Sequence, residues 1–192
     1  YQELMAESDR MDFGDLIFNM VKALKEKEQL LSKIRKQYKY ILVDEFQDTN
    51  WGQNELLKIL TLGEGSDLPK ITVVGDDDQS IYRFRGAAIS NILDFKDSWV
   101  NVKQVVLNQN YRNTQEILDS SYKLIQFNNP NRLEVKNGIN KKLKSNTTIG
   151  IKPELLFFEN ATEEAAAVAE KIIELKGDAK YSDFAILVRS NG

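Results

Sequence analysis

The chain has 192 residues, 42% of them hydrophobic and 29% charged, a composition that suits a soluble globular protein with a core and argues against disorder. Its 26 basic and 29 acidic residues leave a formal net charge of −3, so bulk charge neither recruits nor repels nucleic acid; the placement of the cations decides that. With no cysteine and no histidine, disulfides, thiolate or imidazole zinc sites and histidine-based catalytic triads are excluded, and any metal must be held by oxygen ligands.

No apolar run approaches the roughly 20 residues that a membrane span requires. The opening Tyr1-Gln2-Glu3-Leu4-Met5 has no initiator methionine and no signal-peptide pattern, so it reads as the interior of a longer polypeptide. From Phe13 to about Lys36, Leu16, Ile17, Met20, Val21, Leu24, Leu30, Leu31 and Ile34 recur at helical spacing, with a candidate break at Glu26 to Glu28. The lysine-rich opposite side is a solvated face or a nucleic-acid patch.

Short apolar runs then alternate with helical patterns. Tyr40-Ile41-Leu42-Val43 stops at Asp44-Glu45, and Ile71-Thr72-Val73-Val74 stops at Gly75-Asp76-Asp77-Asp78. Val105-Val106-Leu107, Leu155-Leu156-Phe157-Phe158 and Phe184-Ala185-Ile186-Leu187-Val188 end likewise in polar residues. Runs without polar alternation predict strands covered on both faces, the habit of parallel sheets. Helices are expected over Trp51 to Leu60 and Ala88 to Phe95. Another should follow a capping box of Asn113 and Glu116, and a last one should start at Asn160 or Thr162 and stop at Gly177. The stretch Asn128 to Ile151, rich in Asn, Lys and Gly, reads as a surface connection outside the core. The fold class is α/β.

Ligands in open α/β sheets gather at the carboxyl ends of parallel strands, which makes Asp44, Glu45, Asp76 to Gln79, and Asn110 to Arg112 candidates for one site. Asp44 and Glu45 suit a magnesium ligand beside a group that polarises water, or else an acidic pair serving the next helix through its dipole. Asp76, Asp77 and Asp78 repel one another and need solvent, cations or backbone donors nearby. Tyr82, Arg83, Phe84 and Arg85 interleave aromatic faces with cations, the pattern of a single-strand stacking platform, or of core aromatics flanked by surface arginines. Tyr111 and Arg112 at a turn could stack a base and reach a phosphate.

Taken together these segments resemble the superfamily 1 DNA helicases of the UvrD/Rep/PcrA type. Residues 41–50, ILVDEFQDTN, are similar to the family's motif II; residues 74–87, VGDDDQSIYRFRGA, to motif III; and residues 107–114, LNQNYRNT, to motif IV. Met11 to Leu16 and Ile186 to Asn191 resemble the flanking segments. The resemblance implies parts of two RecA-like domains, residues 1–100 closing the first and residues 101–192 opening the second. It implies ATP and Mg2+ as cofactors, with Asp44 on the metal, Glu45 activating water, Gln79 sensing the terminal phosphate, Tyr111 stacking on adenine and Arg112 as an arginine finger. Tyr82, Phe84, Arg85, Arg189 and Asn191 would contact DNA. The family usually carries tryptophan where Phe84 stands, so stacking should persist with less area.

Implied partners are single-stranded and duplex DNA and the remaining motor segments of the parent chain, in the cytoplasm and away from membranes. The sequence names no accessory repair protein. No GxxxxGK[ST] loop occurs in these residues, so the chain alone is expected neither to hydrolyse ATP nor to unwind DNA. The alternatives are a non-catalytic module that binds single-stranded DNA or a protein, and a receiver-like phosphohydrolase built on Asp76 to Asp78.

Overall fold

The computed structural model describes residues 1–64, 68–82, 84, 86–147 and 150–188. The chain forms two compact units, Tyr1–Ile149 and Gly150–Gly192. Both carry helices, and the first holds two short parallel sheets, as an α/β chain should.

The first unit begins with α1 (Gln2–Glu7), α2 (Phe13–Glu26) and α3 (Glu28–Gln37). The expected break in the long amphipathic pattern falls at Lys27, whose backbone N–H closes α2 on the Ala23 carbonyl. Strand β1 (Tyr40–Val43) runs parallel to β2 (Lys70–Val73), with Tyr40 opposite Lys70 and Val43 opposite Val73. Between them lies α4 (Trp51–Thr61), started by a capping box in which Asn50 Oδ1 accepts from the Gln53 N–H and Gln53 Oε1 accepts from the Asn50 N–H, each at 2.9 Å. The far end of α4 is closed by Arg35, which donates to the carbonyls of Ile59, Leu60 and Leu62 at 2.6–3.2 Å. A guanidinium there satisfies carbonyls that have no partner inside the helix.

The core centres on Phe46, which is fully buried and meets the Phe95 ring edge-on at 5.4 Å. Phe95 stacks in turn on Trp99 at 4.4 Å, and the buried Trp99 indole donates to Thr61 Oγ1 at 2.8 Å. The helix expected over Ala88 to Phe95 is two single turns, α5 (Ser90–Leu93) and α6 (Phe95–Ser98). Buried Asn91 ties α5 back to the β1–α4 connection and to α4, donating to the Thr49 carbonyl at 3.0 Å and accepting from Asn54 Nδ2 at 3.0 Å. Those amides would cost stability if left unpaired, so the network fixes where α5 sits.

Beyond residue 100 the strand expectations hold less well. Val105 to Leu107 joins no ladder; the pairing falls on the next residues, where β3 (Gln109–Asn110) runs parallel to β4 (Lys144–Ser145). Leu155 to Phe158 and Phe184 to Val188 are likewise not strands among the described residues. A strand is made by its hydrogen-bonded neighbour, and an apolar run alone does not supply one.

Helix α7 (Gln115–Ile125) corrects the proposed capping box. Its N-cap is Thr114, which makes no side-chain cap. Asn110 captures the nearby amides instead, its Oδ1 accepting from Arg112 and Asn113 at 2.9 and 2.7 Å. The segment 128–151 is corrected as well. It contains α8 (Leu133–Lys136) and β4, and Leu133 joins Phe46 and Ile92 in the core. A chain rich in Asn and Lys can enter a core where a buried apolar residue, here Leu133 with Ile139 packed beside it, is flanked by paired charges such as Arg132 and Glu134.

In the second unit α9 (Ala161–Lys176) starts where expected. Asn160 Oδ1 accepts from the Glu163 N–H at 3.0 Å, and Gly177, at φ +42°, ends it. Thr162 lies inside the helix.

Candidate functional site

The in-register pairing of β1 and β2 brings their carboxyl ends to one level. Val74 N–H donates to the Val43 carbonyl at 2.8 Å, and Phe46 N–H donates back to the Val74 carbonyl at 2.9 Å. Asp44-Glu45 and Gly75-Asp76 therefore emerge side by side. This is the placement expected of a ligand site in a parallel sheet.

Glu45 leaves β1 in the left-handed region, at φ +48° and ψ +44°. For a residue with a Cβ this costs about 1–2 kcal/mol. The position is held from both sides. Its N–H donates to Asp44 Oδ1 at 2.9 Å, and its Oε2 accepts from Gln47 Nε2 at 2.6 Å. Strain of this kind, held by its surroundings, is a feature of functional sites.

Gln47 is 1% exposed and serves both strand ends. While its amide nitrogen holds Glu45, its Oε1 accepts from the Asp76 N–H at 2.9 Å. Asp76 then accepts from Gln79 Nε2 at its Oδ2, also at 2.9 Å. A continuous chain of hydrogen bonds thus runs Glu45–Gln47–Asp76–Gln79. Gly75 makes it possible, since a Cβ there would lie 2.6 Å from Gln47 Oε1, 2.9 Å from Ile92 Cδ1 and 3.2 Å from the Phe46 nitrogen.

The three-acid run receives the cations that its charge demands. Lys141 Nζ lies 2.6 Å from Asp76 Oδ1, 2.5 Å from Asp77 Oδ1 and 2.8 Å from Asp78 Oδ2. Arg132, 3% exposed, grips Asp78 through Nε and Nη2, each at 2.7 Å, and pairs with Glu134 at 2.8 Å. Leu133 N–H donates to Asp77 Oδ2 at 2.7 Å. Burial alone would push the Asp78 carboxyl up, but the hydrogen bonds from Arg132 and Lys141 outweigh it and hold the group below the ordinary carboxylate value. Burial works against the Lys141 ammonium too, and the three carboxylates reverse it and raise its pKa above the ordinary lysine value.

Asp44, an exposed carboxylate with Oδ1 engaged by the Glu45 N–H, is a residue that could offer oxygen to a divalent cation. The hard-oxygen chemistry fits magnesium. Asp76, Asp77 and Asp78 place oxygens within 4.8 Å of one another, but the Lys141 ammonium sits against all three.

Tyr82 and Phe84 lie with ring centroids 6.1 Å apart, both exposed, on the chain that follows the Asp77–Gln79 turn. Tyr111 and Arg112 are exposed at the β3–α7 turn, and no hydrogen bond or ion pair among the described residues joins their side chains to Asp44, Glu45 or Gln79. Arg85, Arg189 and Asn191 lie outside the described residues. Sequence reasoning assigned no role to Gln47, Arg132 or Lys141. A trace of the last two was present, because three adjacent acids call for nearby cations, but nothing local says which cations answer.

A family model described as the UvrD/REP helicase N-terminal domain matches residues 1–100, and one described as the UvrD-like helicase C-terminal domain matches residues 105–192. The whole chain is 40% identical to a probable DNA helicase II homolog of Mycoplasma capricolum and 39% identical to the ATP-dependent DNA helicase PcrA of Bacillus subtilis, spanning 25% of each. Over 97% of its length it is 40% identical to the ATP-dependent DNA helicase Rep of Buchnera aphidicola, spanning 27% of that protein. The chain therefore covers about a quarter of the length of these relatives.

Proposed function

The chain belongs to the UvrD/REP helicase family, and from that premise we propose that it is the segment of an ATP-dependent DNA helicase that carries the hydrolytic carboxylates and part of the single-strand contact. The observation that carries this reading is the hydrogen-bonded chain from Glu45 through Gln47 and Asp76 to Gln79 at the ends of two parallel strands.

Asp44 would hold the magnesium ion of bound ATP, which supplies charge neutralisation at the phosphates. Glu45, aimed by its left-handed backbone and by Gln47, accepts the proton of the attacking water. Gln79 donates to Asp76 and is exposed, so it can exchange that partner for a phosphate oxygen. Tyr111 offers a ring for adenine, and Arg112 a guanidinium for transition-state charge. Tyr82 and Phe84 offer faces on which bases stack, a contact worth about 1–3 kcal/mol per base, and Arg85, Arg189 and Asn191 add backbone contacts.

Division into two motor domains, residues 1–100 and 101–192, is supported by a separate parallel strand pair on either side of that point. Other segments of the parent protein would supply the phosphate-binding loop. Translocation on one DNA strand and displacement of the other follow from coupling the two sites. No helix among the described residues is long and apolar enough to cross a membrane, in keeping with a cytoplasmic motor.

The test uses the full-length protein that contains these residues. ATP hydrolysis should be stimulated by single-stranded DNA, and Glu45→Gln should lower kcat by about 100-fold or more while ATP binding persists. Full-length protein without DNA-stimulated hydrolysis would overturn the reading. The 192-residue chain alone should show no hydrolysis above its own Glu45→Gln control.

A further inference from the structure

The acidic turn is held by residues that the nucleotide reading does not use. Asp76, Asp77 and Asp78 are consecutive, and their charges would drive the carboxylates apart. A lysine ammonium has three N–H donors, and Lys141 contacts one oxygen from each of the three acids. Arg132 adds a two-point grip on Asp78, the geometry that gives a planar guanidinium its directional hold. Both cations come from 54 to 65 residues further along the chain, and both side chains are largely buried.

Asp76 is the point of transmission. Its Oδ1 meets Lys141 at 2.6 Å and accepts from the Asp78 N–H at 3.1 Å, which leaves Oδ2 for Gln79 Nε2. Remove the ammonium, and the Asp76 carboxylate faces Asp77 and Asp78 with only the longer bond from the Asp78 N–H and the Gln79 amide itself to hold its rotation. The acceptor that orients Gln79 is then no longer fixed against the repulsion of its neighbours.

We propose that Lys141, backed by Arg132, is a positioning residue for Gln79: the two cations hold the Asp76–Gln79 turn in the shape that presents the Gln79 amide. The kinetic consequence rests on the nucleotide role proposed for Gln79. The structural consequence does not.

In the full-length protein, Lys141→Met should lower kcat for DNA-stimulated ATP hydrolysis by about tenfold to 100-fold, the scale of a misplaced group, with KM for ATP within about twofold. Amide exchange across residues 74–81 should rise about tenfold, while α2 and α9 stay unchanged. Lys141→Arg, which keeps the charge, should recover most of both losses. Should Lys141→Met fail to fold, Lys141→Gln reads the same two quantities. Unchanged exchange across 74–81 overturns the proposal whatever the activity does. Faster exchange with unchanged kcat overturns it as well, because the cations would then stabilise the turn without orienting Gln79. If wild-type protein shows no DNA-stimulated hydrolysis, the failure lies with the proposed function, and the exchange result alone decides whether Lys141 holds the turn.

Discussion

Replacing Gly75 by alanine should break the centre of the candidate site through lack of space. The backbone at Gly75 is not among the left-handed positions, so the cost is steric. An added Cβ would stand 2.6 Å from Gln47 Oε1 and 2.9 Å from Ile92 Cδ1, distances that side chains do not tolerate. Two responses are open. If the strand end moves, the change resembles overpacking of a core, about 1–3 kcal/mol. If Gln47 swings away instead, it gives up its bond to the Asp76 N–H and its bond to the Glu45 carboxylate. Those losses come to about 0.5–1.5 kcal/mol for the neutral bond and about 1.5–3 kcal/mol for the charged one. The first route costs about 1–3 kcal/mol and the second about 2–4.5 kcal/mol, so the two overlap at about 2–3 kcal/mol of local destabilisation, and the second also releases Glu45. Segment-resolved hydrogen exchange in the full-length protein reads this directly. Protection of residues 44–49 and 74–79 should fall by about 30-fold or more, since 2 kcal/mol is a factor of that size. ATP hydrolysis should fall with it. A change in protection below about threefold would refute the reasoning, because the cavity would then accommodate a methyl group that the distances forbid.

Two further outcomes follow from the same contacts. Asn50→Ala removes the side-chain half of the capping box on α4 while its backbone N–H still donates to Gln53, and it should cost about 1 kcal/mol, whereas Asn50→Asp should retain most of the cap; denaturant midpoints at unchanged slope check this. The carboxyl of Asp78 is held below its ordinary value in the fold, so its contribution to stability is present above the unfolded value and is lost as pH falls through the folded one. Stability should therefore decline on acidification below about pH 4, and Asp78→Asn should flatten that acid limb in a urea titration repeated across pH.

How much of this was legible in the sequence depends on how local each cause is. The strands β1 and β2 were legible from their apolar runs and pair in parallel register, but the expected cover on both faces is not met among the described residues, where Tyr40 and Leu42 are exposed. Asn160 and Gly177 were legible because a cap is decided within four residues. Val105 to Leu107, Leu155 to Phe158 and Phe184 to Val188 carry the same apolar signal as β1, but a ladder depends on a second segment that the run itself does not specify. The capping box at Asn113 failed for a related reason. The helix starts one residue later, with Thr114 at the N-cap, and the Arg112 and Asn113 amides donate to Asn110 instead.

The site divides along the same line. Asp44, Glu45 and Gln79 could be placed by their position after strands, but what holds them could not. Glu45 sits in a conformation that costs about 1–2 kcal/mol and would relax unless its neighbours forbade it. Its successor Phe46 is fully buried against Phe95, and Gln47 is locked between Glu45 and Asp76, so the turn cannot unwind without opening the core. Gln47 therefore links the aim of one carboxylate to the position of the opposite strand end. Asp76 passes that position to Gln79, and Lys141 closes the chain from 65 residues away. A site assembled this way is stiff at its centre and open at its exposed ends, Asp44 and Gln79. On the function proposed above, those two are the groups that would exchange partners when a nucleotide arrives.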